Sequence, residues 1–441
     1  MQKSGPRPDI APAAVGYGFL MTRSRNRSRR FDVVLWGATG FTGKLTAEYL
    51  LQRHAGQGLR IALAGRNADK LERVRQELAA VDPEAKTFEL LTGDSHDRAS
   101  LDAITKDTEV VCTTVGPYAK YGKALVESCV EAGTDYCDLT GEPQFVRAMI
   151  DAHHTRAVET GARIVHCCGF DSIPSDLGTW NLVQEAKERF GISLDEVKLI
   201  TGRIKGGVSG GTVASMLQVV EDVKADRGVL RTLGNPYGLN PEGERRGPDT
   251  SDQKGVRYDD DLPGWTGPFV MASINTRVVR RSNALLGYPY GREFRYSECS
   301  GTGGGPKGLM RATSLAAGVT GLMAGITFAP TRNLIMRKLP SPGEGPNREQ
   351  REAGSFVLHL IGKGRTKTGQ PAQLRSRVVG KADPGYGETA KMLGESALCL
   401  ALDGEALESP GGMGTPAATM GGSLLARLRE QGMEFVVDEP S

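Results

Sequence analysis

FDVVLWGATGFTGKLTAEYLLQRH, Phe31 to His54, is the stretch whose reading decides the fold. An apolar run from Phe31 to Trp36 leads without a gap into Gly37, Ala38, Thr39, Gly40, Phe41, Thr42 and Gly43, then into residues of helical spacing. A strand that turns through closely spaced glycines straight into a helix brings backbone N–H groups and the positive end of the helix dipole up to a pyrophosphate. The spacing is GxxGxxG rather than GxGxxG, which predicts the same role in a cradle of different detail. A turn that needs glycine only for its shape is the alternative.

Outward from this turn the same rhythm continues. RIALAG (Arg60 to Gly65) reads as a second strand, and a helix follows from Ala68 to Ala80, with Leu71, Val74 and Leu78 on one face and Asn67 as its N-cap. Further strands are predicted over Thr87 to Leu91, Glu109 to Val115, Thr134 to Leu139 and Ala162 to Cys168, separated by helices around Ser100, over Lys123 to Ala132 and over Pro143 to Thr160. Strands alternating with helices specify an α/β fold with a doubly wound parallel sheet, a Rossmann domain. Beyond Asp176 the pattern changes to alternating strands, Glu196 to Ile204, Arg292 to Cys299, Ser355 to Gly362 and Ala372 to Gly380, between loops rich in Gly and Pro. That pattern predicts a second α+β domain with a mainly antiparallel sheet. The expected division is a disordered basic tail over 1–30, the Rossmann domain over 31–176, the α+β domain over 177–385, and C-terminal helices over 386–441 that pack back on the first domain.

A chain of 441 residues, 39% hydrophobic, exceeds what one core holds. The formal charge of +3 sits in the tail, where Lys3, Arg7, Arg23, Arg25, Arg27, Arg29 and Arg30 face only Asp9. The remainder is net acidic, which argues against nucleic acid as a partner. Met21 is an alternative start. Seven scattered cysteines, an odd number without CxxC spacing, read as reduced thiols, and neither they nor the six histidines suggest a metal. With no secretory signal the expected location is the cytoplasm. The uncharged run from Ala312 to Ala329 is long enough for a membrane span, and a buried or interfacial helix with peripheral lipid contact is the competing reading.

The cofactor is selected at the end of the second strand. An acidic residue there would accept ribose hydroxyls, but the chain has Gly65, Arg66 and Asn67, and Arg66 suits a 2′-phosphate, so NADPH is expected over NADH. Asp94, after the third strand, is placed to border the adenine. After the fourth strand, Thr114 to Tyr118 read TVGPY, with Gly116 and Pro117 shaping the nicotinamide end and Tyr118 as candidate proton donor beside Tyr121 and Lys123. Gly169, Asp171 and Ser172 read either as cleft lining or as hinge, Asp176 as a hinge and cap, and Gly206 to Thr212 as a second glycine-rich loop.

These segments, with LAGRN, YCDLTGE (Tyr136 to Glu142), GFDSIPSDLG (Gly169 to Gly178), PGEGP (Pro342 to Pro346), DPGYGETAKM and GGMGTPA, make nearly everything after Phe31 resemble the saccharopine dehydrogenase-like oxidoreductases, in particular their trans-acting enoyl reductase branch. The resemblance implies a Rossmann domain with a large α+β insertion before C-terminal helices. It also implies an NADP site at Gly37, Gly40, Gly43, Arg66 and the Gly116 to Tyr118 turn, action on polyketide or fatty acyl thioesters in lipid biosynthesis, a polyketide synthase as partner, and a homodimer. It assigns no catalytic acid. Three readings remain open. One is an NADPH-dependent enoyl reductase with Tyr118 or an ordered water as proton source. The second is a saccharopine dehydrogenase-like enzyme on an imine or amino acid substrate, which needs cleft cations such as Arg203 and Lys205. The third is a non-catalytic NADPH-binding scaffold at a lipid surface.

Overall fold

Six short strands carry the first sheet: β1 (Phe31–Trp36), β2 (Ile61–Gly65), β3 (Glu89–Thr92), β4 (Thr108–Thr113), β5 (Asp135–Asp138) and β6 (Arg163–Val165). The computed structural model describes residues 28–54, 58–206, 210–327, 330–332 and 345–440. The strands lie in the order β3-β2-β1-β4-β5-β6 and every pairing is parallel. Parallel strands are covered on both faces, which explains why β1 and β4 are buried throughout and mostly apolar, with Asp32 and Glu109 as buried acids. Between them run the helices Phe41–His54, Ala68–Ala79, Lys123–Ala132 and Pro143–Thr160. Asn67 caps the second of these, its side chain accepting from Lys70 N at 2.8 Å, and Leu71, Val74 and Leu78 form the buried face.

The second sheet is built from β7 (Ile192–Lys205), β8 (Arg257–Asp259), β9 (Gly264–Gly267), β10 (Arg295–Gly303), β11 (Ser355–Thr366) and β12 (Pro371–Gly380). It is mixed. The pairs β8 with β9, β9 with β10, β7 with β11 and β11 with β12 are antiparallel, whereas β7 and β10 run parallel. Between those two strands lie the helices Gly210–Ala225, Gly228–Gly234 and Ala272–Leu285, a crossover long enough to return the chain in the same direction. Alternation of side chains favours antiparallel pairing in general but does not mark the single pair that departs from it.

The C-terminal segment, expected to hold helices alone, also gives one strand to each sheet. β13 (Gly412–Gly414) pairs parallel with β6, and β14 (Glu434–Val437) pairs antiparallel with β12. Helix Thr389–Leu402 lies on the first sheet and on helix Phe41–His54, where buried Glu395 accepts from Tyr49 Oη at 2.6 Å and Arg53 Nε at 2.9 Å. Helix Ile173–Glu188 spans the expected boundary at 176 and packs on β7, β11 and β12. Asp176 does act as a cap, but for a distant helix. Its carboxyl accepts from Ala417 N at 2.8 Å, at the start of helix Pro416–Thr419.

Residues 1–27, Met21 among them, lie outside the described residues. The expected tail ends earlier than residue 30, because Arg29 donates to Ala132 O and Thr134 Oγ1 at 2.7 Å each and Arg30 pairs with Glu89. All seven cysteines are free and buried. Helix Gly305–Thr327 is long and apolar enough to cross a membrane, and it is buried only at Gly308, Ala312 and Ile326. Phe328 and Ala329 of the uncharged run lie outside the described residues.

Candidate functional site

At the carboxyl edge of the first sheet a cleft of about 810 Å³ opens against the helices of the second domain. Gly37, Thr39, Gly40, Phe41, Thr42 and Gly43 form one wall. Gly37 takes a φ of +91°, and a Cβ there would stand 2.5 Å from Val115 Cγ2. A Cβ on Gly43 would come within 2.1 Å of Gly37 O. The turn therefore closes on itself only because both residues lack side chains. Gly40 N donates to Gly37 O at 3.0 Å, and helix Phe41–His54 starts immediately afterwards, with Phe41, Thr42 and Gly43 of its first turn lining the cleft. This bare-backbone cradle fits a dinucleotide pyrophosphate. Ala38, expected in the cradle, instead packs fully buried in the core.

At the end of β2, Arg66 is exposed on the cleft wall with Lys70 one turn along the next helix. The two cations share one rim, where they suit a phosphate on the adenosine ribose. Asn67 is absent from the lining because its side chain is spent capping that helix. Asp94 lines the cleft after β3, held by His96 N donating to Oδ1 at 2.8 Å.

Beyond β4 the Thr114 to Tyr118 turn lines the cleft, including Gly116 and Pro117. The carboxylate that fixes this turn comes from Glu142, whose Oε1 accepts from Tyr118 N and whose Oε2 accepts from Ala119 N, both at 2.9 Å. Ser215 Oγ of helix Gly210–Ala225 donates to the same group at 2.7 Å, tying the two domains together across the cleft. Burial raises the Glu142 carboxyl above its usual range, and these three donors oppose that rise. The Tyr118 ring is buried, and its hydroxyl donates to Thr113 O at 3.2 Å. Burial, with Asp138 nearby, pushes its phenol well above the ordinary value. A phenol turned into the floor and bonded to a carbonyl is poorly placed to give a proton to substrate. Tyr121 lines the cleft, and Lys123 does not.

The wall facing the cradle is apolar. Ala214, Met216, Val219 and Val220 come from one helix, joined by Leu233, Val270, Met271 and Met323. Arg203 and Lys205 are exposed at the end of β7 and do not line the cleft, whose lysines and arginines among the described residues are Arg66 and Lys70 on the cradle side. Of the residues after β6, Asp171 lines the cleft, while Gly169 packs against Leu139 and Thr389 and Ser172 Oγ donates to Asn275 Oδ1 at 3.0 Å. Of the glycine-rich loop, residues 207–209 lie outside the described residues. Lys70, Glu142 and the helix carrying Met216 were not singled out from sequence. Lys70 could have been, since it lies four residues beyond Arg66 on the exposed start of a helix.

Residues 33–165 match the family described as saccharopine dehydrogenase NADP binding domain. A trans-acting enoyl reductase of Mycobacterium tuberculosis is 42% identical over 420 residues, 92% of this chain and 97% of that protein. Its counterpart from Mycobacterium leprae is 40% identical over 415 residues, with the same coverage. Among solved structures, the apo saccharopine dehydrogenase (L-Glu forming) of Saccharomyces cerevisiae matches with a TM-score of 0.52 at 13% identity, over 92% of this chain and 99% of that one, a likeness of fold.

Proposed function

This chain belongs to the trans-acting enoyl reductases of the saccharopine dehydrogenase-like oxidoreductases, and from that premise we propose that it reduces the α,β double bond of polyketide or fatty acyl thioesters in lipid biosynthesis. It is an NADPH-dependent oxidoreductase. NADPH supplies a hydride when bound. Gly37, Gly40 and Gly43 hold its pyrophosphate, Arg66 and Lys70 its 2′-phosphate, and the turn fixed by Glu142 shapes the nicotinamide end.

The observation that carries the choice of substrate is the apolar wall of Met216, Val219, Val220, Leu233 and Met323 opposite the cradle. An amino acid or imine substrate brings carboxylates, which require cations when taken out of water. An acyl chain requires only apolar surface. The partner is a polyketide synthase that presents the enoyl chain. The test is oxidation of NADPH with a trans-2-enoyl thioester, set against an amino acid mixed with an aldehyde. Turnover of the thioester alone supports the reading, and turnover of the amino acid pair alone refutes it.

A second reading has its own observation, the largely exposed helix Gly305–Thr327 with Lys307 and Arg311 in its first turns. Apolar surface beside cations suits an anionic lipid surface. Flotation with anionic vesicles checks it: a Met310→Glu variant that floats as well as wild type removes the helix from consideration.

A further inference from the structure

Resting on the enoyl thioester reading, we propose that Asp171 is the catalytic acid, delivering the proton that completes reduction at the α-carbon. Asp171 follows β6 at the carboxyl edge of the first sheet and lines the cleft with Gly141 and Met271. A Cβ placed on Gly141 would stand 3.9 Å from Asp171 Oδ2 and 3.5 Å from Met271 Cε, so the carboxyl lies where the β5 and β6 loops meet the apolar wall. This is the place in an open α/β sheet where a ligand's reacting end comes to rest.

The other acids of this region are occupied. Asp94 accepts from His96 N, and Glu142 accepts from two backbone N–H groups and Ser215. Asp171 makes no hydrogen bond or ion pair among the described residues, and burial alone pushes its carboxyl up to about 6. The titratable neighbour that feels its charge is the Cys167 thiol, itself driven up by burial. An uncompensated carboxyl costs folding free energy, and an acid that titrates close to neutral is suited to proton transfer. Tyr118, the tyrosine of the neighbouring turn, is turned away and bonded to Thr113 O.

The step balances. Hydride addition at the β-carbon leaves an enolate whose electron pair forms the new C–H bond at the α-carbon. The Asp171 O–H bond breaks to give that proton, and solvent at the cleft mouth returns one to the carboxylate.

The experiment compares wild type, Asp171→Asn and Asp171→Glu. It measures NADPH affinity by fluorescence, kcat on a trans-2-enoyl thioester from pH 5 to 9, and the carboxyl band of the cofactor-free protein by infrared titration. The expected result is unchanged NADPH affinity and a kcat lower by about 100-fold or more in Asp171→Asn. The alkaline fall in kcat and the carboxyl titrating near pH 6 disappear with it, and the Glu variant restores part of the rate. An Asp171→Asn enzyme that keeps the wild-type kcat and pH profile overturns the role. Wild type that binds NADPH but reduces no enoyl thioester overturns the functional reading and this role with it.

Discussion

Arg66 is the residue on which cofactor choice turns. It is exposed, and no hydrogen bond or ion pair to it is recorded among the described residues, so its guanidinium is available to a phosphate. Removing a charge-assisted contact costs about 1.5–3 kcal/mol. Arg66→Ala is expected to weaken NADPH about 10-fold to 100-fold while leaving NADH nearly unchanged, and Lys70→Ala to move in the same direction by less, both read by fluorescence titration. Acids raised by full or partial burial set a second expectation. Burial raises Asp171 to about 6 and Asp176 and Glu298 each to about 7. A carboxyl raised in the folded state holds its proton where the unfolded chain has released it, so stability falls as pH climbs from about 4 to about 7, by up to ~1.4 kcal/mol per pH unit per group. Urea denaturation at pH 5 and pH 7.5 checks this. His154 and His359, held below the usual imidazole range by burial, act the other way in both proteins, so the comparison is between them: the stability at pH 5 relative to pH 7.5 should be lower in Asp171→Asn than in wild type. The place of Arg66 on the cleft wall was legible in the sequence because it follows from its position after a strand. Asp171 stayed ambiguous between lining and hinge, since a half-buried place on the cleft wall without a partner is a property of packing. Tyr118 was legible as part of the turn after β4, but the burial of its phenol against Thr113 O was not, because packing sets it.

The glycine turn is the element that most constrains the fold. Gly43→Ala would put a methyl carbon 2.1 Å from Gly37 O and 3.0 Å from Ala38 Cα, neither of which is the end of a flexible side chain. The helix must move off the strand, and NADPH affinity is expected to fall at least about 10-fold, with a lower melting temperature. Glu142 is the corresponding tie on the other side of the cleft. Glu142→Ala strands the Tyr118 and Ala119 N–H groups, at about 1–3 kcal/mol each, and calorimetry should show it. The helices Lys123–Ala132 and Pro143–Thr160 begin and end as their patterns predict, because glycine closes both. β13 and β14 had no pattern to read. One is Gly-Met-Gly and the other is four residues long, and each forms because a sheet edge supplies its partner.

Across the whole molecule the two sheets share parts. Helix Ile173–Glu188 leaves the first domain and packs under the second sheet, and its Asp176 holds the start of the helix that follows β13. The halves are therefore expected to melt together, and scanning calorimetry should give one transition. Two separated transitions would mean that these links are weak. The chain divides in sequence where the alternation of strands and helices changes near Asp176, but the C-terminal segment returns to both halves. Contacts between residues so far apart leave no local mark.

That return has a bearing on synthesis. A ribosome releases β6 and β12 well before the residues that will lie beside them, so the nascent protein carries two unfilled strand positions until its last stretch emerges. A product cut short before residue 412 would keep both edges bare, a form that proteases and chaperones distinguish from the finished enzyme.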